Sequence, residues 1–291
     1  MSEVIFTNNR EKLKALFDTH GASPIWPFAS KHLVDAILMK VKEENVDEDR
    51  FELGESKIGG YPHLPENISW DQMRYKYEDK HDVHLSFILQ LNFEEIAKYD
   101  RMNLLPKKGI FYFFAVHGDE YVNDFDIYDN SYKGIYIEEP QNLRVTPPDF
   151  EPTEQEIRYY SENKPKGFSI DSPKAFYEDR LFSASKLDFE EIISLPSMGY
   201  LFERYKNTVD SMGNPFPDWN DSCWHTYYSK LRSNRNGGDM EILGYGGNAY
   251  QGEDFDRFDA GFECEYQLLF QISSINGMNW RNCYGFVLCY Y

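Results

Sequence analysis

Residues 58–114 and 242–291 carry one order of features twice, and self-similarity of that kind constrains a whole fold. The first copy runs Ile58-Gly59-Gly60-Tyr61, then Ser86-Phe87-Ile88-Leu89-Gln90-Leu91, then Gly109-Ile110-Phe111-Tyr112-Phe113-Phe114. The second runs Ile242-Leu243-Gly244-Tyr245, then Gln267-Leu268-Leu269-Phe270-Gln271-Ile272, then Gly285-Phe286-Val287-Leu288-Cys289-Tyr290-Tyr291. Each has a glycine turn, an apolar strand ending in Gln plus an aliphatic residue, and a glycine leading into an aromatic strand. The spacing predicts two sheet units related by internal duplication. The competing account is that buried strands bounded by glycines resemble one another anyway.

Composition sets the limits on partners. Aromatic residues make up 17% of the 291 residues, which excludes a disordered chain, since such side chains bring large burial areas. The formal net charge is -19, from 30 basic and 49 acidic residues. That balance argues against nucleic acid, whose phosphates call for Lys and Arg, and against anionic membrane surfaces. Solubility is the ordinary explanation of such acidity, and a basic protein partner is the sharper one. Met1 to Phe17 lacks the basic and apolar regions of a signal peptide. The longest apolar run, Ile110 to Val116, falls far short of the ~20 residues a membrane span needs. A cytoplasmic protein is expected, with Cys223, Cys264, Cys283 and Cys289 as thiols.

Local patterns place the elements. Residues 8–18 read as a helix capped by Asn8 or Asn9, with Leu13, Leu16 and Phe17 on one face. Residues 30–43 read as a second helix, with Ser30 as cap and Leu33, Ile37, Leu38 and Val41 as its stripe. Strands are expected at 85–91, 110–116, 121–127 and 132–137, the last three joined as antiparallel hairpins. Leu91-Asn92-Phe93-Glu94-Glu95-Ile96 carries a capping box that starts a short helix, and Leu187-Asp188-Phe189-Glu190-Glu191-Ile192 carries the same device. Residues 138–175 are rich in proline and charge around one helix at 153–161, and Asn276-Gly277 signals a hairpin.

No constellation declares a chemistry. His81-x-x-His84 leads into a strand, where i and i+3 face opposite ways, and no further ligand completes a zinc set, so both read as solvent-facing. Cys223 and His225 lack a third group that would orient a base, and His117 lacks a nucleophile motif. Gly244, Gly246 and Gly247 are followed by no Lys-Ser/Thr, so they read as a turn rather than a phosphate loop. The carboxylates at 124–129 lack the glycine and distal Glu of a calcium loop, and those at 253–259 read as solvated. No catalytic residue, metal or cofactor is expected.

Lys57-Ile58-Gly59-Gly60-Tyr61-Pro62-x-x-Pro65 with Trp70, the strand Phe87–Gln90, and Leu105-Pro106-x-x-Gly109 together resemble the YwqG-like family of bacterial proteins. Gln251-Gly252, the strand Leu268–Ile272, and Met278-x-Trp280 followed by Gly285 look like its closing pattern. Arg281-Asn282 depart from the small or acidic pair usual after that tryptophan. The resemblance implies a cytoplasmic α+β protein built on a domain of unknown function. The expected architecture is mostly antiparallel sheet with short peripheral helices. A helical segment at 1–50 would pack on a domain at 51–291, composed of sheet units 51–137 and 176–291 and the connector 138–175. Gly59, Gly60, Pro62, Pro65, Gly109, Gly252 and Gly285 suit structural turns. Lys57, Tyr61, Trp70, Gln90, Gln251, Gln271 and Trp280 are the candidates to line a cleft between the units. The expected function is a non-enzymatic interaction module, an antagonist or immunity-type binder of a basic protein. The alternative is an enzyme or small-ligand binder with its site in that cleft.

Overall fold

The structure, a computed structural model, describes residues 7–77, 81–115, 132–154, 156–158, 181–196, 198–218, 220–227, 231, 240–245, 267–273 and 285–290. Its strands are β1 (Val34–Glu43), β2 (Lys57–Ile58), β3 (His63–Pro65), β4 (Arg74–Tyr77), β5 (His81–His84), β6 (Ser86–Asn92) and β7 (Ile110–Ala115). They continue with β8 (Tyr132–Ile137), β9 (Leu143–Val145), β10 (Ser185–Ser194), β11 (Glu241–Ile242), β12 (Gln267–Ser273) and β13 (Gly285–Tyr290). Nine of these form one sheet in the order β13-β12-β11-β1-β10-β2-β6-β7-β8, and every pairing in it is antiparallel. The expected α+β architecture with antiparallel sheet is therefore present. The predicted strand at 121–127 and the Asn276-Gly277 turn lie outside the described residues.

The sheet curls. Phe270 on β12 packs on Phe111 and Phe113 of β7, with ring centroids 5.8 and 5.1 Å apart. Six strand-to-strand steps separate β12 from β7 in the sheet order, about 29 Å if flat. The enclosed face buries Ile37, Met39, Ile58, Leu89, Phe113 and Ile242 among others in the main core. The opposite face of β6–β7 is covered by two small antiparallel sheets, β3 with β9 and β4 with β5, over Trp70, Phe87, Tyr112 and Phe114.

Helices make a third core beyond the end of β10. Helix α1 (Arg10–Thr19) begins where Asn9 accepts from the amides of Glu11 and Lys12, as the sequence predicts. Its buried Leu13 and Phe17 meet α2 (Trp26–Ala29), and Phe17 packs edge-on to Trp26 at 5.0 Å. Trp224 and Tyr227, in and just past α5 (Ser222–Thr226), close this layer together with α4 (Met198–Tyr205). A further helix, α3 (Phe93–Ile96), follows β6 directly, and residues 154 and 156–158 are helical within the predicted helix of the connector.

Two predicted helices are strands. Residues 34–43 form β1, in the middle of the sheet between β10 and β11. Ala36-Ile37-Leu38-Met39 are all buried because both faces of a central strand are covered. A short continuous apolar run of that kind also satisfies helical spacing, and strand pairing on both edges decides between them. The second divergence is Leu187–Ile192, which stays within β10. In the first copy of that hexapeptide, Asn92 accepts from the Glu94 amide and its own amide is held by the Ser56 hydroxyl, so α3 starts. Glu95 binds the Ser56 amide instead of closing the expected capping box on Asn92. In the second copy, Asp188 is paired with Lys40 of β1 and its carboxylate accepts from the Phe189 amide next to it, so extended backbone continues.

Gly59 and Gly60 turn the chain after β2 with φ of 67° and 69°, a region that disfavours residues bearing Cβ. At Gly60 a Cβ would strike the Glu48 carboxylate and lie 2.6 Å from Ala184 Cβ, whereas at Gly21, with φ 76°, nothing lies within 4 Å. Gly21→Ala is therefore expected to cost about 1 kcal/mol from conformation alone, and Gly60→Ala clearly more. Urea unfolding of the two variants checks this; equal costs would show that the crowding at Gly60 relaxes.

Candidate functional site

Lys57 lies on β2 with Gln90 opposite it on β6 and Lys186 on β10. Its side chain is 0% exposed, and its ammonium donates to Glu48 Oε2 at 2.5 Å and to the Tyr61 carbonyl at 3.1 Å. The Phe51 ring lies 4.2 Å from Nζ. Glu48 stands on the exposed segment after β1 and turns inward, where its Oε1 accepts from the Tyr61 amide at 2.7 Å. A buried ammonium without a partner would be strongly disfavoured, so Glu48 is what lets Lys57 stay charged there. Burial nonetheless pulls the Lys57 pKa below its ordinary value, against the opposing pull of Glu48.

His63, on β3, completes this centre. Its Nδ1 accepts from the Gly54 amide at 3.0 Å and faces Gln90 Nε2 at 3.2 Å, which places the ring proton on Nε2. His63 Nε2 has no hydrogen-bond partner among the described residues and lies 3.9 Å from Glu48 Oε2. Burial first, and the charge of Lys57 second, depress the His63 pKa to about 4. Gln90 holds the strands together from inside: Oε1 accepts from the His63 amide at 2.8 Å and Nε2 donates to the Glu55 carbonyl at 2.7 Å. Beside it, Lys186 pairs with Glu55 at 2.9 Å.

A second buried centre ties the proline-rich connector to the small sheets. His84 Nδ1 meets Glu156 Oε2 at 2.9 Å and Nε2 meets Asp71 Oδ1 at 3.0 Å. Each ring nitrogen of His84 thus faces a carboxylate. Glu156 also accepts from the His84 amide at 3.0 Å and the Thr153 amide at 2.8 Å, and its amide donates to the Thr153 hydroxyl at 3.2 Å. Burial would raise the Glu156 pKa, but the hydrogen bonds from His84 and Thr153 outweigh it and hold the carboxyl below its ordinary value. Phe150 stacks on the His84 ring at 4.0 Å. His84 is thus enclosed, not solvent-facing as its place at a strand entrance predicts.

Among the cleft candidates, Lys57 and Gln90 fall in one centre, and Tyr61 lines its edge with its backbone. Trp70 sits apart from them, buried with Nε1 donating to the Leu85 carbonyl at 2.8 Å. Gln271 is buried on β12 opposite Glu241. Gln251, Gly252 and Trp280 lie outside the described residues, as do His117, Gly246, Gly247 and the carboxylates at 124–129 and 253–259. Pro62 and Pro65 flank His63, with the Pro62 carbonyl accepting from Thr146 at 2.9 Å. Gly109 adopts φ 90° before β7, and Gly285 opens β13 opposite Ser273. Cys223 is buried while His225 is exposed on the same short helix, so they do not meet. No group of three or more metal-ligating side chains occurs among the described residues.

Sequence reasoning passed over Glu48, His63, Asp71 and Glu156. Thr153-x-x-Glu156 is a readable capping box. Nothing in the sequence marks Glu48 among its acidic neighbours, because only the fold turns it inward.

Residues 56–286 match the model of a family described as a domain of unknown function, DUF1963, and the chain belongs to that family. No curated protein matches the chain. Both buried centres draw on residues within the matched span, with Glu48 and Glu55 reaching in from just before it.

The depressed His63 pKa fixes a pH dependence. The unfolded chain takes up this proton near pH 6.5 and the folded chain only near 4, so His63 contributes stability that is whole above pH 6.5. That contribution is lost as pH falls from 6.5 toward 4, by about 3 kcal/mol in total. In His63→Asn, whose amide oxygen can still accept from Gly54, unfolding free energies over this range should decline less than in the wild type. Parallel curves for the two proteins would contradict the assignment.

Proposed function

We propose that this protein is an interaction module of the cytoplasm whose acidic surface engages a basic protein, in the manner of an antagonist or immunity-type binder. The observation that carries this reading is the net charge of -19 together with where it is displayed. Glu44, Asp47, Asp49 and Glu52 are exposed along one short segment. Its only cation, Arg50, is tied to Glu43 at 2.6 Å. Such a surface speeds capture of a cationic partner and weakens as salt screens it. A second reading, a small-ligand or enzymatic site between two repeats, is supported by the two buried centres, since perturbed titrating groups gather at functional sites. A thermal-shift screen over metabolites and divalent metals bears on it, and silence there would count against it.

Internal duplication and the YwqG-like resemblance belong to the same proposal, with 51–137 and 176–291 as the units, 138–175 as connector and 1–50 as the segment before them. Strand registers support the duplication. Lys57 and Ile58 pair with Gln90 and Leu89, and Glu241 and Ile242 pair with Gln271 and Phe270. Both long strands carry a bulge one step before that pairing, at 87/89 and 268/270. Gly59 and Leu243 each take positive φ, 67° and 61°, and donate to the carbonyls of Ile88 and Leu269. Gly60 and Gly244 follow, with φ of 69° and 82°.

The interaction reading predicts that immobilised protein captures a basic partner from lysate at low salt and releases it by about 300 mM. With that partner purified, a variant carrying Glu44→Lys, Asp47→Lys and Asp49→Lys should associate at least tenfold more slowly. A capture indifferent to both salt and charge reversal would refute the proposal.

A further inference from the structure

We infer that Lys57, His63 and the Tyr61 amide form a carboxylate-binding centre, filled here by the chain's own Glu48. The Glu48 side chain is then a plug that an incoming carboxylate ligand would displace.

The donors, not the acid, are the built part of this arrangement. Lys57 is fixed by β2, His63 by β3, and the Tyr61 amide is aimed by the two positive-φ glycines before it. They divide between the two oxygens of one carboxylate: the Tyr61 amide binds Oε1 and the Lys57 ammonium binds Oε2. The His63 side chain is 0% exposed and its Nε2 stands 3.9 Å from Oε2, beyond hydrogen-bonding distance. One buried donor is therefore left unsatisfied by Glu48, and among the described residues the ammonium has two acceptors, Glu48 Oε2 and the Tyr61 carbonyl, for its three hydrogens. A carboxylate not tethered to the exposed segment could settle closer to His63 and satisfy both. Two oxygens contacted separately favour a planar carboxylate over a tetrahedral anion.

Access also fits. Glu48 retains 23% exposure of its side chain although those of Lys57 and His63 have none, so it closes the centre from the solvent side. It stands on a single turn, Glu48–Arg50, flanked by the exposed Asp47 and Asp49, while buried Val46 and Phe51 anchor the chain on either side, so only the Glu48 side chain has to leave and the incoming carboxylate takes over its contacts. This inference does not depend on a basic protein partner. It concerns a buried cationic centre rather than the acidic surface.

The experiment is chemical rescue of Glu48→Ala, which deletes the tethered carboxylate. Thermal unfolding is followed against formate, acetate, phosphate and chloride at matched ionic strength. Formate and acetate should raise the melting temperature of Glu48→Ala by several degrees in a saturable way, more than phosphate or chloride. They should leave the wild type unmoved, because its tethered acid already fills the centre at high effective concentration. Adding Lys57→Met to Glu48→Ala should abolish the response. If Glu48→Ala does not fold in plain buffer, refolding yield with and without formate replaces the melting temperature, and recovery by formate alone is the supporting result. Equal response to all four anions, or no response, overturns the inference.

Discussion

The ladder between Val34–Glu43 and Ser185–Ser194 joins strands that lie about 150 residues apart, and every other strand of the large sheet is placed relative to it. Closing a loop of that length costs on the order of 4 kcal/mol in chain entropy. Full burial of an Ile, Met or Phe side chain contributes about 1.5–3 kcal/mol, so two or three such residues offset the closure. Ile37, Met39, Phe189 and Ile192 supply them within the ladder itself. β11 lies against β1 and β2 against β10, and the remaining strands extend outward on either side. The curl that brings Phe270 onto Phe113 then follows from sheet twist and from the bulges in β6 and β12.

That order explains why the buried charges sit where they do. The strands next to the central ladder are only two residues long, Lys57–Ile58 and Glu241–Ile242. Two residues give few backbone bonds, so side chains must finish the attachment. At β2 this is done by Gln90, which bridges the His63 amide and the Glu55 carbonyl, and by Lys57, which gathers Glu48 and Tyr61. At the connector the same task falls to the Asp71–His84–Glu156 set. Removing one partner of such a pair costs about 3–5 kcal/mol, far more than an exposed pair such as Lys108–Glu139 contributes.

Legibility in the sequence follows the range of the interactions. The Asn9 cap and the strands β6, β7, β8, β12 and β13 are marked by neighbours close along the chain, and local pattern finds them. Val34–Glu43 and Leu187–Ile192 are decided by each other across the whole connector, and local pattern assigns both wrongly. The site divides the same way. Lys57, Tyr61 and Gln90 stand beside readable glycine and strand signals, whereas Glu48 is one acid among several until the Gly59-Gly60 turn presents donors to it.

The proposed duplication adds a reason to think the Lys57 centre is more than a structural fastening. The residue that matches Lys57 in register is Glu241, equally buried, and the residue that matches Gln90 is Gln271. A fastening for a short strand works with either charge, provided partners are near. If attachment were the whole requirement, both positions could have kept one chemistry after duplication. One carries a lysine and the other a glutamate instead. At Lys57 the turn amide of Tyr61 points at a carboxylate, while the matching amide of Tyr245 donates to the Ser194 hydroxyl at 3.0 Å. One copy thus aims its turn and its buried cation at a carboxylate, and the other aims its turn at a hydroxyl. Such specialisation of one half is expected of a binding centre and is not required of a brace.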